Sequence, residues 1–159
     1  MNRRSEILAE RLKTFNDEVV RFVENCSEED WHKTCPWEQW SVGVAARHIG
    51  AGHFSAIGLA KVILETGRLP DLTMDEIVKM ANQHAREHAD CSRAEVLDIL
   101  KKQGRTTIDY ISSLGDEDLD KTAFFRVIEK DVSVQRYIEN VILEAGGQHF
   151  NNMKEAIKV

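Results

Sequence analysis

Apolar residues recur at alternating intervals of three and four along four long stretches of this chain, the spacing of helices in a bundle. The stretches cover about residues 4–26, 42–66, 92–114 and 134–157. Only two prolines occur, Pro36 and Pro70, and both fall between stretches. A shorter helical segment capped by Thr73 lies in the crossover of about residues 67–91, and no strand pattern of any strength is visible. The sequence therefore predicts an all-α protein, a four-helix bundle with a short crossover helix.

Composition and charge narrow the class of protein. The 159 residues suit a single domain, residues 1–159, and 42% hydrophobic with 30% charged residues is typical of a soluble globular protein. The formal net charge of −6 argues against nucleic-acid binding and against docking on anionic membranes. The longest uncharged run, residues 49–60, is too short to span a bilayer, and the charged residues 1–12 do not read as a secretory signal. Three cysteines without a C-x-x-C pair fit reduced thiols, so we expect a cytoplasmic protein.

The second helical stretch carries a histidine near its start that faces the predicted core. Ser41 can cap this helix, and His48 lies seven residues further on, on the same face as Ala45 and Gly52. That face is small and nearly apolar, so the imidazole points into the interior. One buried histidine is most often a hydrogen-bonded core residue. A second inward-facing histidine, His149 on the last helix, favours a functional site instead.

Two segments carry motifs that are similar to those of a known family. They are Trp-Ser-Val-x-x-x-Ala-Arg-His-Ile at residues 40–49, which opens a long helix ending at Gly67, and Gly-Gln-His-Phe-Asn-Asn-Met-Lys-Glu-Ala-Ile at residues 147–157. With the helix order, they resemble the DinB/YfiT-like metalloenzyme superfamily over essentially the whole chain. The resemblance implies up-down-down-up connectivity, a bound divalent metal, often zinc or nickel, and homodimers. It also implies transferases and isomerases that use low-molecular-weight thiols such as bacillithiol or mycothiol.

The resemblance implies a set of metal ligands that this chain matches only in part. His48 matches the ligand on the second helix, and His149 matches the final ligand on the last helix. The remaining ligand is expected at position 145, where Ala145 cannot bind a metal, so the ion could be absent altogether. Glu144 is rotated about 100° from the required direction in an α-helix and could reach the site only through a loosened turn at Gly146-Gly147.

The implied topology places further histidines beside this pair. With antiparallel second and last helices, His48 lies about 10 Å from the start of its helix and His149 about 12 Å from the end of its own, at about 1.5 Å per residue. Both therefore fall at the same end of the bundle, and we expect them within about 10 Å of each other if they share an ion. The crossover returns to this end with His84 and His88, which share a helix face at i and i+4. His53, five residues after His48, points elsewhere on an α-helix.

These observations leave two hypotheses for function. The first is a metal-dependent transferase or hydrolase, with or without dependence on a thiol, that acts on a small molecule, with a third ligand from His84 or His88, or from Glu144. The second is a metal-free bundle that binds a small ligand or a protein partner without catalysis, which Ala145 favours. The apolar second helix, with Phe54, Ile57 and Val62 beside its inward stripe, adds to the expectation of a two-fold homodimer.

Overall fold

Four long helical stretches form the bundle that the sequence predicts. The computed structural model describes residues 3–158. The chain begins with α1 (Arg3–Asn25) and the single-turn α2 (Glu28–Trp31). The second long helix consists of α3 (Val42–His48), a π-helical segment (Ile49–His53), a 3₁₀ turn (Phe54–Ala56) and α4 (Ile57–Thr66). The crossover carries α5 (Met74–Glu87), and the third long helix is α6 (Arg93–Ser112), followed by the short α7 (Asp116–Asp120). A hairpin of β1 (Thr122–Phe125) and β2 (Lys130–Ser133) leads to the last long helix, made of α8 (Val134–Ile138), a π-helical segment (Glu139–Glu144) and α9 (Ala145–Ile157).

Side-chain caps fix where these helices begin. The hydroxyl of Ser41 accepts a hydrogen bond from the Val44 N–H at 3.1 Å, and Ser92 and Ser133 cap α6 and α8 in the same way. At α5 the side chains of Thr73 and Glu76 form the reciprocal capping box. Each cap satisfies a backbone N–H that has no partner in the first turn. The predicted helix starts are therefore confirmed.

Contacts at the helix ends establish that the second and third long helices run parallel. The indole N–H of Trp31 donates to the Cys91 carbonyl at 3.1 Å, just before α6, and the Gly43 backbone lies against the same indole ring. Eleven residues after Gly43, the Phe54 carbonyl accepts from the hydroxyl of Thr107, late in α6, at 3.0 Å. Both helices therefore start at the same end of the bundle and proceed in the same direction.

The first and third long helices run antiparallel, and so do the second and the last. Arg4 at the start of α1 pairs with Asp120 beyond the end of α6 at 2.8 Å, and Arg93 at the start of α6 donates to the Cys26 carbonyl beyond the end of α1. The early part of the second helix packs on α9, and its late part, α4, packs on α8. The connectivity is up-down-down-up, as the resemblance implies. Across residues 3–158 no helix combines the length and the apolar character needed to cross a membrane.

A short β-hairpin is an element of the fold that the sequence pattern does not predict. β1 and β2 pair antiparallel, with Thr122 opposite Ser133 and Phe125 opposite Lys130. Within it Ala123 and Val132 are buried, and Phe124 points outward with 49% of its surface exposed. Strands of four residues are too short for a clear alternating pattern, so the segment read only as an apolar run.

Candidate metal centre

Three imidazoles meet between the second and last long helices. The ring centroids of His48 and His53 are 4.8 Å apart, and the ring of His149 lies 5.1 Å from each. One nitrogen of each side chain lies within 4.8 Å of the other two. Because zinc–nitrogen bonds are about 2.0 Å long, small side-chain rotations would bring all three nitrogens onto one ion. His48 and His149 thus lie together as their positions predict, and the third imidazole is His53.

A π-helical turn brings His53 into this cluster. In a regular α-helix, five residues rotate a side chain about 140° away from the starting face. Here the Phe54 N–H bonds to the Ile49 carbonyl, five residues earlier, and the wider turn carries His53 back towards the face of His48. The expectation that His53 points elsewhere is wrong, because it assumed α-helical geometry throughout.

His53 is held with one nitrogen that has no partner. Its Nδ1–H donates to the Val141 carbonyl at 2.7 Å, and since a carbonyl can only accept, Nε2 carries the lone pair. Nε2 is buried and finds no hydrogen-bond partner in residues 3–158. Metal-bound histidines usually donate their other ring N–H to a carbonyl or a carboxylate. An unpartnered, buried nitrogen within a cluster of imidazoles therefore fits a metal ligand.

The last helix is also irregular where it meets His53. The Ala145 N–H, which would bond to Val141 in a regular α-helix, bonds to the carbonyls of Asn140 and Ile142 instead. The Val141 carbonyl can therefore accept from His53 without breaking a helical hydrogen bond to Ala145. Gly146 lies beside His53, and a Cβ on Gly146 would come 3.7 Å from the Cβ of His53. Both histidine-bearing helices thus depart from α-helical geometry at the same level.

His149 is oriented by a carboxylate from the loop before α3. Its Nδ1 lies 2.6 Å from Oε2 of Glu38, and the amide of Asn152 donates to Oε1 of the same carboxylate at 3.0 Å. The Glu38 side chain is only 8% exposed. Burial alone would raise the pKa of Glu38, but the hydrogen bonds from His149, from its own backbone and from Asn152 hold that pKa below its usual value. Glu38 is therefore an anion that fixes the His149 proton on Nδ1 and leaves Nε2 for an ion.

A strained loop presents Glu38 and Trp40 to the cluster. Gln39, between them, has a φ of 63°, in the left-handed region that a non-glycine residue rarely adopts. The turn is held by the Cys35 N–H, which donates to the Trp40 carbonyl at 2.7 Å. The Trp40 ring stacks on His149 with centroids 5.5 Å apart and meets the edge of His48 at 5.0 Å. Trp40 thus covers one side of the cluster, and backbone strain of this kind concentrates at functional sites.

The packing around the His48 ring requires a glycine at position 52. A Cβ placed on Gly52 would lie 2.8 Å from both Cε1 and Nδ1 of the His48 ring. Contacts this short force one group to move, so any larger residue at position 52 would displace the imidazole. The small face noted in the sequence around Gly52 therefore makes room for the ring of His48.

Two of the imidazoles are held in the neutral form that binds metals. Burial, followed by the charges that His53 and His149 would carry, lowers the pKa of His48 from 6.5 to about 3. Burial and His149 lower the pKa of His53 to about 4, although the bond to Val141 works in the opposite direction. Because a protonated imidazole has no lone pair to offer, low pKa values keep both nitrogens available near neutral pH.

The other predicted ligands lie outside the three-imidazole cluster. His84 of α5 is exposed, and His88, which directly follows α5, is half-buried; both line a cleft next to His48. Glu144 is 59% exposed and pairs with Arg136 at 3.2 Å. The choice of these residues as the third ligand followed from Ala145, which cannot bind a metal, and from the assumption of a regular second helix, which excluded His53. The cluster gains its third nitrogen from the second helix instead.

Cys35, in the loop that carries Glu38 and Trp40, is a buried, protonated thiol. Burial, together with the nearby Glu38 carboxylate, raises the pKa of Cys35 to about 12. Thiolates rather than thiols bind metals and attack electrophiles. Cys35 therefore belongs to the packing of the loop and not to the ligand set.

Replacing Glu38 with glutamine is expected to weaken zinc binding by about 10- to 100-fold, the usual cost of losing a carboxylate behind a metal-bound histidine. Glutamine keeps the size of the side chain but removes the charge that holds the His149 proton on Nδ1. Competition with a zinc-binding dye would measure the affinity. Glu28→Gln is a matched control. Glu28 also contacts a histidine, His32 at 3.0 Å, but both side chains are exposed. Equal zinc affinity in the two variants would contradict the orienting role of Glu38.

Comparison with known proteins assigns this helical bundle with a three-imidazole cluster to a family. The model of the DinB superfamily matches residues 11–146, and the chain belongs to that superfamily. A solved structure described as "YfiT from Bacillus subtilis is a probable metal-dependent hydrolase with an unusual four-helix bundle topology" matches with a TM-score of 0.75. That match has 12% sequence identity and covers 98% of this chain and 87% of the other, so the two share a fold. The search of curated proteins found no significant match.

Proposed function

We propose that this DinB-superfamily protein is a metal-dependent hydrolase of a small molecule, with a divalent metal held by His48, His53 and His149. The observation that carries the proposal is the buried Nε2 of His53, which has no hydrogen-bond partner in the described chain and belongs to a cluster of three imidazoles. The description of YfiT as a probable metal-dependent hydrolase supports the same class of reaction. A metal held by three protein ligands keeps a position open and lowers the pKa of a bound water to about 7, which supplies the nucleophile for hydrolysis.

Zinc is the metal that we propose first, with nickel as the alternative. Three neutral imidazoles are a donor set that suits zinc, and the affinity of nitrogen ligands for nickel is of the same order. No carboxylate belongs to the cluster found among residues 3–158, which disfavours the hard cations magnesium and calcium. The absence of a ligand at Ala145 does not weaken this proposal, since His53 supplies the nitrogen that position 145 lacks.

The residues around the cluster would support metal binding and substrate approach in three ways. Glu38 and the Val141 carbonyl hold the protons of His149 and His53 on Nδ1. Trp40 covers one side of the rings and limits the access of water. His48 and Trp40 also line the narrow cleft beside α5, which would direct the approach of a substrate to the metal. The chain itself therefore orients the ligands and directs the approach of the substrate.

Metal analysis of protein purified without a histidine tag tests the proposal. We expect stoichiometric zinc or nickel, loss of the metal on dialysis against a chelator, and slow hydrolysis of activated esters or anilides that disappears with the metal and returns with zinc. If turnover also needs an added thiol, the reaction is a thiol-dependent transfer instead of hydrolysis. A protein that takes up no zinc even at millimolar concentration would contradict the proposal and support the metal-free binding bundle.

The predicted homodimer and the cytoplasmic location stay predictions. Two of the residues that suggested surplus apolar surface on the second helix, Phe54 and Ile57, are buried within the chain, with 0% and 4% of their surface exposed. A dimer would therefore have to use other residues, and the exposed apolar side chains include Met74, Val78 and Met80 of α5. Light scattering at micromolar concentration would measure the mass.

A further inference from the structure

A narrow cleft lies between the second long helix and α5, and it leads to the three-imidazole cluster. Its enclosed volume is about 10 Å³, the space of about one water molecule, and His48 and Trp40 form part of the wall. The other side carries the two α5 histidines, His84 within the helix and His88 directly after its last residue, four positions apart. A group larger than water would therefore reach His48 through this cleft only if α5 moved outward, and no residue of α5 is fully buried against the bundle.

The described residues that line the cleft include no acidic side chain, and the permanent charge among them is that of Arg47. The other ionisable side chains of the lining are His48, His84 and His88. The whole chain, by contrast, has 27 acidic and 21 basic residues. In a protein of net charge −6, a lining without acidic groups favours an anionic occupant.

Arg47 is the residue of this cleft whose hydrogen-bonding capacity is unused. Its side chain makes no hydrogen bond or ion pair with any residue from 3 to 158, and its Nε is buried without a partner. Other arginines of the chain do pair, as Arg4 does with Asp120 at 2.8 Å. Leaving a charged, buried N–H group unsatisfied costs free energy that a hydrogen-bonding ligand would restore. The planar guanidinium matches the two oxygens of a carboxylate or a phosphate.

We propose that Arg47 and the α5 histidines bind an anionic oxygen group, a carboxylate or a phosphate, on the molecule that reaches the metal centre. The proposal rests on the proposed function for the position of the reacting group and defines the substrate or co-substrate as a small anion. His84 and His88, whose spacing first suggested metal binding, act here as hydrogen-bond donors to the anion. The uncharged end of the same molecule would lie towards His48 and the metal.

The placement of α5 agrees with a role in ligand binding. None of its residues is fully buried, so little apolar surface holds it against the bundle. One defined contact is the indole N–H of Trp40, which donates to the side chain of Asn82 at 3.0 Å. Trp40 also stacks on His149, so this hydrogen bond connects the wall of the cleft to the metal cluster. An anion held between Arg47 and α5 would add an attachment that the helix otherwise lacks.

The test compares two thiols of equal length that differ only in charge. Cobalt-loaded protein, in which thiolate coordination gives a visible absorption band, is titrated with 3-mercaptopropionate and with 3-mercapto-1-propanol. We expect the acid to bind about 10- to 100-fold more tightly, the range that a charged hydrogen-bonded pair contributes. Arg47→Gln should remove this preference, and Arg47→Lys should retain part of it. Arg105→Gln, at an exposed position of α6, removes the same charge elsewhere and should leave the preference intact.

A second arm separates this proposal from the metal proposal. Metal-free protein is titrated with inorganic phosphate and with propionate, and the indole N–H resonance of Trp40 is followed by NMR. This arm applies if cobalt does not bind or if neither thiol coordinates. A shift of the indole resonance with either anion, abolished by Arg47→Gln, would still support the anion site. The anion that binds more tightly would identify the group. The proposal would be overturned if the two thiols bound equally, or if the preference for the acid survived in Arg47→Gln. It would also be overturned if no thiol bound and the indole resonance responded to neither anion. Arg47→Lys decides the matter should Arg47→Gln fail to fold.

Discussion

Replacing His53 with alanine is expected to lower zinc affinity by more than about 100-fold, beyond the usual 10- to 100-fold cost of losing an outer-shell partner of a metal. Removal of this imidazole leaves His48 and His149 as the only ring nitrogens of the cluster, too few for the three protein ligands that hold zinc at an open site. Zinc binding measured by dye competition, with circular dichroism to verify folding, checks the result.

Variants of the other candidates provide the controls for this experiment. His84→Ala with His88→Ala, and separately Glu144→Gln, should leave zinc affinity within a few-fold of the native value. If zinc affinity were unchanged in His53→Ala and fell strongly in the α5 double variant, the third ligand would be His84 or His88 of the crossover. That outcome would contradict both the assignment of His53 and the anion-binding role of α5.

Acidification is expected to destabilise the metal-free protein by roughly 2–4 kcal/mol between about pH 7 and pH 5. The pKa values of His48 and His53 are lowered in the folded state to about 3 and about 4, against 6.5 for an unperturbed histidine. As the pH falls below 6.5, the unfolded chain takes up protons at both residues that the folded chain does not, so the free energy of unfolding decreases. Urea unfolding in the presence of a chelator, repeated across this pH range, measures the change.

The double variant His48→Gln with His53→Gln should flatten this pH dependence. Glutamine does not titrate, so the proton uptake of the unfolded state at these positions disappears. His32→Gln serves as the comparison, because it removes a histidine that is 64% exposed and lies outside the cluster. A double variant that loses as much stability as the native protein would show that other groups cause the acid sensitivity.

Local signals explain why most of the fold could be predicted from the sequence. The caps at Ser41, Thr73 and Ser92 act within four residues, and the apolar stripes depend only on helical periodicity. The contact between Glu38 and His149 joins residues 111 positions apart and needs a left-handed backbone at Gln39, so no local pattern predicts it. For the same reason the sequence located one end of the bundle as the site but not the carboxylate behind it.

The third imidazole was missed for a different reason. The π-helical turn at Ile49–His53 is stabilised by contacts outside its own helix, including the bond from His53 to the Val141 carbonyl. One signal in the sequence does point to it, since Gly50 and Gly52 are poor helix formers in the middle of a long helix. Histidines on both sides of such a pair could have suggested an irregular turn rather than two unrelated side chains.

The π-helical turn also has a consequence for aligning this chain with its relatives. Such a turn corresponds to an α-helix with one residue inserted, and the helix beyond it keeps its phase. Deleting Ala51 would therefore convert His48-x-x-x-x-His53 into two histidines four residues apart, on one face of a regular helix, with α4 still turned towards the core. An alignment that forbids gaps within helices would place one of these histidines out of register. Relatives of this chain can then differ by a single inserted residue in the second helix and still carry the same two imidazoles.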